Sequence, residues 1–420
     1  MIDRRTLVGA LEVSRLADWV IVERRREIGS VDERTRLRRT EARQLWTLTV
    51  HHDSPAGRGS AHITVDAVDE NAEAVVDQVA ALARASIGPT WLSRPLAAPA
   101  RVRVEDPALA KREPLDAASE LVKRLVRPTE VVATATITRD HVYLDTRAGL
   151  HAEWTETLYR AELLAIAGAR SVVLSRDARH RDGLDLSAAL VNASEDLKLL
   201  ARAGAPVAGK CSIVLASEAL LHDGIGVWAA FVSQADAVIE RQGLTRYRER
   251  APIMPGADQI SEPLTIASDG ALDFGVHSVP IGDEGDAVRR FPLVERGVAA
   301  GLGLSPREAA LRGRDANGGV RNLVVEAGSW SGTIDASMGR VVEVRRLRSL
   351  SIDPYTGEAS LEIALAVDHS KAGTRPFAGG SLRIDLIAAL ARAKRTAAVL
   401  TRGAYKGPQA VLVERAELIA

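Results

Sequence analysis

The chemistry most worth seeking in this chain is metal-assisted hydrolysis. A zinc peptidase helix carries two histidines on one face with a glutamate beside the first. The spacing keeps both imidazoles on the metal while the carboxylate polarises a bound water. Nine histidines are present, at positions 51, 52, 62, 141, 151, 180, 222, 277 and 369. None is followed directly by glutamate, so neither HExxH nor HExxxH occurs. The one cysteine, Cys211, rules out an intrachain disulfide or a multi-cysteine metal site. It opens an apolar run, where a buried, inert thiol is the default.

The remaining candidates are scattered. His51 and His52 precede Asp53 at a hairpin, where a solvated loop competes with a metal corner. His222 and Asp223 lie near the start of a long amphipathic stretch, and capping or exposure competes with ligation there. Asp283 and Glu284, in "IGDEGD", could hold a cation, but paired carboxylates at such a site also serve the turn itself. His369, in "VDHSKAG", ends a strand and could face a cleft or solvent. "GIG" at 224–226 and "GLG" at 301–303 lack the context of a phosphate loop, and no G-x-S-x-G elbow exists.

The elements that must position these residues read as α+β in two halves, 1–204 and 205–420. In the first half, residues 18–26 and 45–50 read as strands. Trp46, Leu48 and Val50 share one face while Thr47 and Thr49 share the other. Residues 71–86 read as a helix with Val75, Val79 and Leu82 inward, and 114–126 as a second helix. Residues 89–107 read as an ordered connection. Two strands, 131–139 and 141–146, are expected to meet at a tight turn at Arg139 and Asp140. A helix over 185–204 presents Leu186, Leu190, Ala193, Leu197 and Leu200, with Gly204 placed to cap its end. The second half alternates short strands and helices without a βαβ rhythm, which argues for mixed sheets with packed helices. Strands are expected at 211–216, 262–268, 276–282, 288–297, 318–328, 339–353 and 358–370, then near 381–385 and 410–419. Ser305 and Pro306 mark the start of a short helix.

Residues 217–243, "SEALLHDGIGVWAAFVSQADAVIERQG", read as one long helix after a strand. Leu221, Ile225, Trp228, Val232, Ala235 and Ile239 form an apolar stripe, each large side chain contributing about 1.5–3 kcal/mol when buried. Gly224 and Gly226 weaken a helix by roughly 1 kcal/mol each, so close approach of a neighbouring backbone is their expected gain.

Composition narrows the class. Lysine plus arginine equals aspartate plus glutamate at 55 each, which gives no argument for a nucleic-acid or membrane partner. Little self-repulsion follows, so association with another chain is easy. Aromatics are only 4%, leaving alanine, valine and leucine to fill the core. There is no stretch of roughly 20 apolar residues and no secretion signal in the opening residues, so a cytoplasmic setting is expected.

The second half resembles the TldD/PmbA family, also called the modulator-of-gyrase family. The resemblance rests on "CSIVLASEALL", "SDGALDFGVHSVPIGDEG", "FPLVERGVAAGLGLSPREAALRG", "GGVRNLVVEAG" and the closing strand–helix–strand of 379–419. The first half fits the same pattern through "VYLDTRAGLHAEWTET". The resemblance implies a two-domain α+β fold. It also implies one of two kinds of subunit. TldD-type chains carry HExxxH on the helix after this strand and a cysteine near the C-terminus. TldE/PmbA-type chains lack both and pair with a TldD-type chain, and the pair acts on unfolded or precursor peptides. Here the zinc positions would fall near Ile225, Gly226 and Ala230, and no cysteine follows Cys211.

The resemblance therefore implies a non-catalytic TldE/PmbA-like subunit with no cofactor of its own, zinc being expected in the partner. Its partner would be a TldD-type peptidase in a heterodimer, or a second copy in a homodimer, with an unfolded peptide as substrate. Two other readings stay open: a homodimeric peptide-binding protein with no protease partner, and an autonomous hydrolase with unusual ligands.

Overall fold

The computed structural model describes residues 3–66, 71–92, 97–125, 127–371 and 373–420. Residues 93–96 of the expected 89–107 connection lie outside the described residues.

The first half is a seven-stranded antiparallel sheet built from long strands, among them Asp18–Asp32, Leu37–Ser54, Glu130–Thr146 and His151–Ala167. Strand alternation sorts their side chains onto two faces. Trp19, Ile21, Trp46, Leu48 and Val50 pack under helices Arg4–Val13 and Ala72–Ala85. Val131, Ala133, Ala135, Ile137, Ala161 and Leu163 pack under Pro114–Lys123 and Leu186–Ala201. The opposite parity, Val20, Val22, Val142 and Leu144, meets Ile281 from the second half.

Four expectations are corrected, three in the first half and one in the second. Arg139 and Asp140 form no turn, because Glu130–Thr146 runs unbroken and both residues are paired in register with the neighbouring strands. Leu82 is exposed, and Ala83 is the buried residue at that end of its helix. The helix from Leu186 ends at Ala201, and Gly204 instead bridges to Phe377. Residues 276–282 form no strand, although their alternation suggested one. Arg179 reaches across from the first sheet and donates to the carbonyls of Val276 at 2.8 Å and Ser278 at 3.1 Å. Asn322 accepts from the His277 N–H at 3.0 Å. These bonds hold the segment as a loop and satisfy groups that a strand ladder would otherwise pair.

The second half has two sheets. In one, Val341–Ile352, Gly209–Leu215, Val411–Ile419, Ser381–Asp385 and Glu358–Ser370 lie side by side. Glu358–Ser370 also pairs with Val341–Ile352, so this path returns to its first strand. The other sheet is six-stranded and includes Arg290–Glu295, Ile266–Asp269 and Asn322–Val325, with the hairpin Val399–Arg402 and Tyr405–Pro408 at one side. One large core joins both sheets, with Trp228, Phe231, Phe377 and Tyr405 inside it. Among the described residues, no helix is long and apolar enough to cross a membrane.

Candidate functional site

The expected long helix at 217–243 is broken into pieces. Ser217–Leu220 makes one helical turn, Gly226–Trp228 a tighter one, and Ala229–Gln234 and Ala237–Arg241 are short helices. Asp223, Gly224 and Gly226 all have left-handed backbone, at φ of 50°, 107° and 54°. A Cβ on Gly226 would lie 2.0 Å from the Leu220 carbonyl oxygen. The close approach expected of this glycine is real, but the neighbour is the turn just before it. The apolar 4-3-4-3-4 spacing misled because burial here is not confined to one stripe. Val227 and Phe231, off the stripe, are as buried as Trp228, and Ile239 on it is only half-buried.

This broken segment borders a cavity of about 820 Å³ between the halves. Its walls are the edge strand Arg170–Ala178, residues 218–225, the 276–277 loop, the 402–404 turn and part of Val341–Ile352. Apolar side chains, among them Leu221, Ile225, Val276, Val320 and Leu347, form one part of the lining. Charge forms the rest, with six arginines against four carboxylates.

Glu218 is the centre of that charge. Its Oε1 lies 2.5 Å from Arg176 Nη2 and 3.0 Å from Arg402 Nη2, and its Oε2 lies 3.9 Å from Arg346 Nη1. Burial alone would raise the Glu218 pKa, but the three arginines outweigh it and hold the carboxyl below its ordinary value. Arg346 also donates through Nε to Asp196 at 2.6 Å, while its Nη2 is buried without a hydrogen-bond partner. Burial lowers the His277 pKa, and Arg179 and Arg321 lower it further, so its imidazole is neutral near pH 7.

Residues 209–417 match the family described as the PmbA/TldA metallopeptidase C-terminal domain. The chain belongs to the TldD/PmbA family. Three solved structures share its fold over nearly their full length. TldE from Thermococcus kodakarensis is 15% identical, covers 99% of each chain and gives a TM-score of 0.74. A protein from Bacteroides thetaiotaomicron, described as a modulator of DNA gyrase, is 13% identical, covers 100% of each chain and gives 0.73. A similarly described protein from Thermotoga maritima is 15% identical, covers 99% of this chain and 98% of its own, and gives 0.74. No curated protein matches the sequence significantly.

The positions that the TldD/PmbA resemblance singles out separate in space. Ile225 lines the cavity, whereas Gly226 and Ala230 are buried in the packing behind it. None of the three side chains offers a donor atom to a metal, so they do not fit zinc, and no zinc step is assigned to them. Among the described residues, no group of three or more His, Cys, Asp or Glu is placed to hold a metal ion. His222 is at the cavity wall, with Nε2 3.3 Å from Asp223 Oδ2. His369 lies outside this cavity and faces Glu343 across the strands, at 3.3 Å. Burial pushes the Cys211 thiol up, which keeps it protonated and unreactive.

Asp283 and Glu284 also part. Asp283 is exposed, while Glu284 faces a second cavity of about 550 Å³ and lies 3.6 Å from His51 Nε2. The perturbed group of "IGDEGD" is Asp286, which lines the same cavity. Burial pushes its carboxyl up to about 6, and the Glu284 charge adds to that. A carboxyl raised in the folded state favours folding below its ordinary value of 3.8, and that contribution is lost as pH rises through about 6. Asp286→Asn is therefore expected to be more stable than the parent at pH 7.5, by about 1–3 kcal/mol. The gain should fade toward pH 4. Denaturant midpoints across that range check it, and a gain independent of pH would reject titration as the cause.

Glu218, Arg176, Arg346 and Arg402 escaped sequence reasoning. They come from positions as distant as 176 and 402, and no local pattern joins them. The one available signal was a glutamate shortly after the strand end at Leu215, in a segment otherwise rich in apolar residues.

Proposed function

We propose that this chain is a non-catalytic TldE/PmbA-type subunit of a TldD-type metallopeptidase that processes unfolded or precursor peptides. The observation that carries the reading is the rebuilt segment after Gly209–Leu215. At Ile225, Gly226 and Ala230 it has no metal donor, and its backbone turns left-handed at 223, 224 and 226. A continuous helix holding two imidazoles and a carboxylate does not fit there. The TM-score of 0.74 to a TldE supports the fold side of this reading. In it, the zinc resides in the partner, and this chain helps enclose the peptide.

Co-expression with a TldD-type chain is expected to yield a stable complex that cleaves an unstructured peptide, whereas this chain alone binds no stoichiometric zinc and cleaves nothing. Size measurement, metal analysis and a peptidase assay read the three parts. Zinc-dependent cleavage by the single chain, or failure to associate with any TldD-type partner, would overturn the proposal.

A further inference from the structure

The cavity beside Glu218 has more positive charge than its own carboxylates neutralise. Arg176, Arg346 and Arg402 share Glu218, and although Arg346 also meets Asp196, its Nη2 is buried with no acceptor. Two further arginines on the lining form no ion pair among the described residues. Arg321 spends its Nε on the Gly318 carbonyl at 2.9 Å, and Arg348 is exposed. His277 adds a neutral imidazole to the same wall.

A guanidinium presents a planar fork of donors that matches a carboxylate and is weakly hydrated, so it suits a partly enclosed site. The wall at Ile225, Val276 and Val320 supplies apolar surface beside that charge. A volume of about 820 Å³ is ample for a few peptide residues. The site's polarity therefore selects an anion attached to an apolar body.

We propose that this cavity binds a carboxylate of an apolar, extended peptide, with Arg321 and Arg348 as the groups that meet it and Ile225 against the neighbouring side chain. The inference rests on the peptide-processing role proposed above. The carboxylate has two sources, a peptide C-terminus or an acidic side chain, and the recognition chemistry is the same for both.

The test uses the full chain and one fluorescent hexapeptide of apolar residues made in three forms: free C-terminus without acid, amidated with one internal glutamate, and amidated without acid. At least one carboxylate-bearing form is expected to bind about tenfold or more tightly than the neutral form, the size of one charge-assisted contact. Which form gains identifies the source. Arg348→Ala, at an exposed position, and Arg321→Gln should each remove most of that preference while the far-ultraviolet spectrum and melting midpoint stay close to the parent. Equal binding of all three peptides, or an unchanged preference in both variants, would overturn the proposal. Association of the same variants with a TldD-type chain separates the two ideas. If pairing persists without carboxylate preference, only the cavity proposal falls. If the preference persists without pairing, the subunit role falls and the binding site stands.

Discussion

Glu218→Gln is expected to lower the stability of this protein by about 3–5 kcal/mol, the usual cost of removing one partner from a buried ion cluster. The replacement keeps the size of the side chain and removes its charge. Arg176 and Arg346 are then left with side chains only 5% and 11% exposed, and Arg402 with 21%, around a neutral amide. Asp196 can compensate Arg346 alone, and it already serves Arg345 at 2.6 Å. The sign with pH is opposite to that at Asp286. Glu218 is held below its ordinary value of 4.5, so its contribution is full above that value and is lost as pH falls through the depressed one. The difference between variant and parent should accordingly be largest near pH 7 and shrink in acid. Urea titrations at both ends of the range measure it. A loss under about 1 kcal/mol at pH 7 would mean that the arginines regain water, and the cluster would then count for little.

Gly226→Ala has the second large expected effect, a loss of roughly 2–5 kcal/mol. Left-handed backbone costs an ordinary residue about 1–2 kcal/mol, and φ at Gly226 is 54°. The larger part comes from the collision of the new methyl with the Leu220 carbonyl, at 2.0 Å, against backbone that cannot rotate away. Gly224→Ala isolates the first part, because nothing lies within 4 Å of its missing side chain. The same geometry bears on any attempt to restore a zinc motif. Ile225→His with Gly226→Glu and Ala230→His would put a long side chain where not even a methyl fits, and an imidazole where Ala230 is fully buried. That triple variant should fail to fold before it could bind metal. Thermal melts of both glycine variants decide the matter, and an unchanged melting midpoint for Gly226→Ala would show that the turn tolerates a left-handed alanine.

The long first-half strands were legible because one of their faces is covered by helices, which turns burial into alternation. Trp46, Leu48 and Val50 followed that rule closely. The break expected at Arg139 and Asp140 failed for a related reason. These charged residues interrupt the apolar pattern, yet Asp140 sits inside the sheet because Arg24 and Arg26 reach it at 2.7–2.9 Å from the neighbouring strand. A pair of charges reads as a turn only when no partner waits across the ladder. The 217–243 segment failed in the opposite direction. Its surroundings bury apolar groups on several sides, so spacing no longer reports a helix face. Asp223 takes left-handed backbone, and the Asp223–Gly224 pair is a turn signal that the apolar spacing overrode in the reading of a helix. The absent zinc motif needed only the letters, whereas the Glu218 cluster needed the fold, since its four members come from four separate elements.

The strand path that returns to its starting strand has a consequence for the order in which the molecule can be made. The first sheet is complete once Ala178 has emerged, and its strands pair mostly with neighbours in sequence. In the second half, Gly209–Leu215 lies between Val341–Ile352 and Val411–Ile419 and pairs with neither of the strands next to it in sequence. Until synthesis reaches Val411, that strand has one open edge and Cys211 on it has no cover from Ala416. Contacts so far apart along the chain form slowly, and exposed edges invite pairing with other chains. The first half is thus positioned to serve as a finished platform while the second waits. A ribosome-stalled chain ending near residue 400 should show a protease-resistant first half joined to a digestible second.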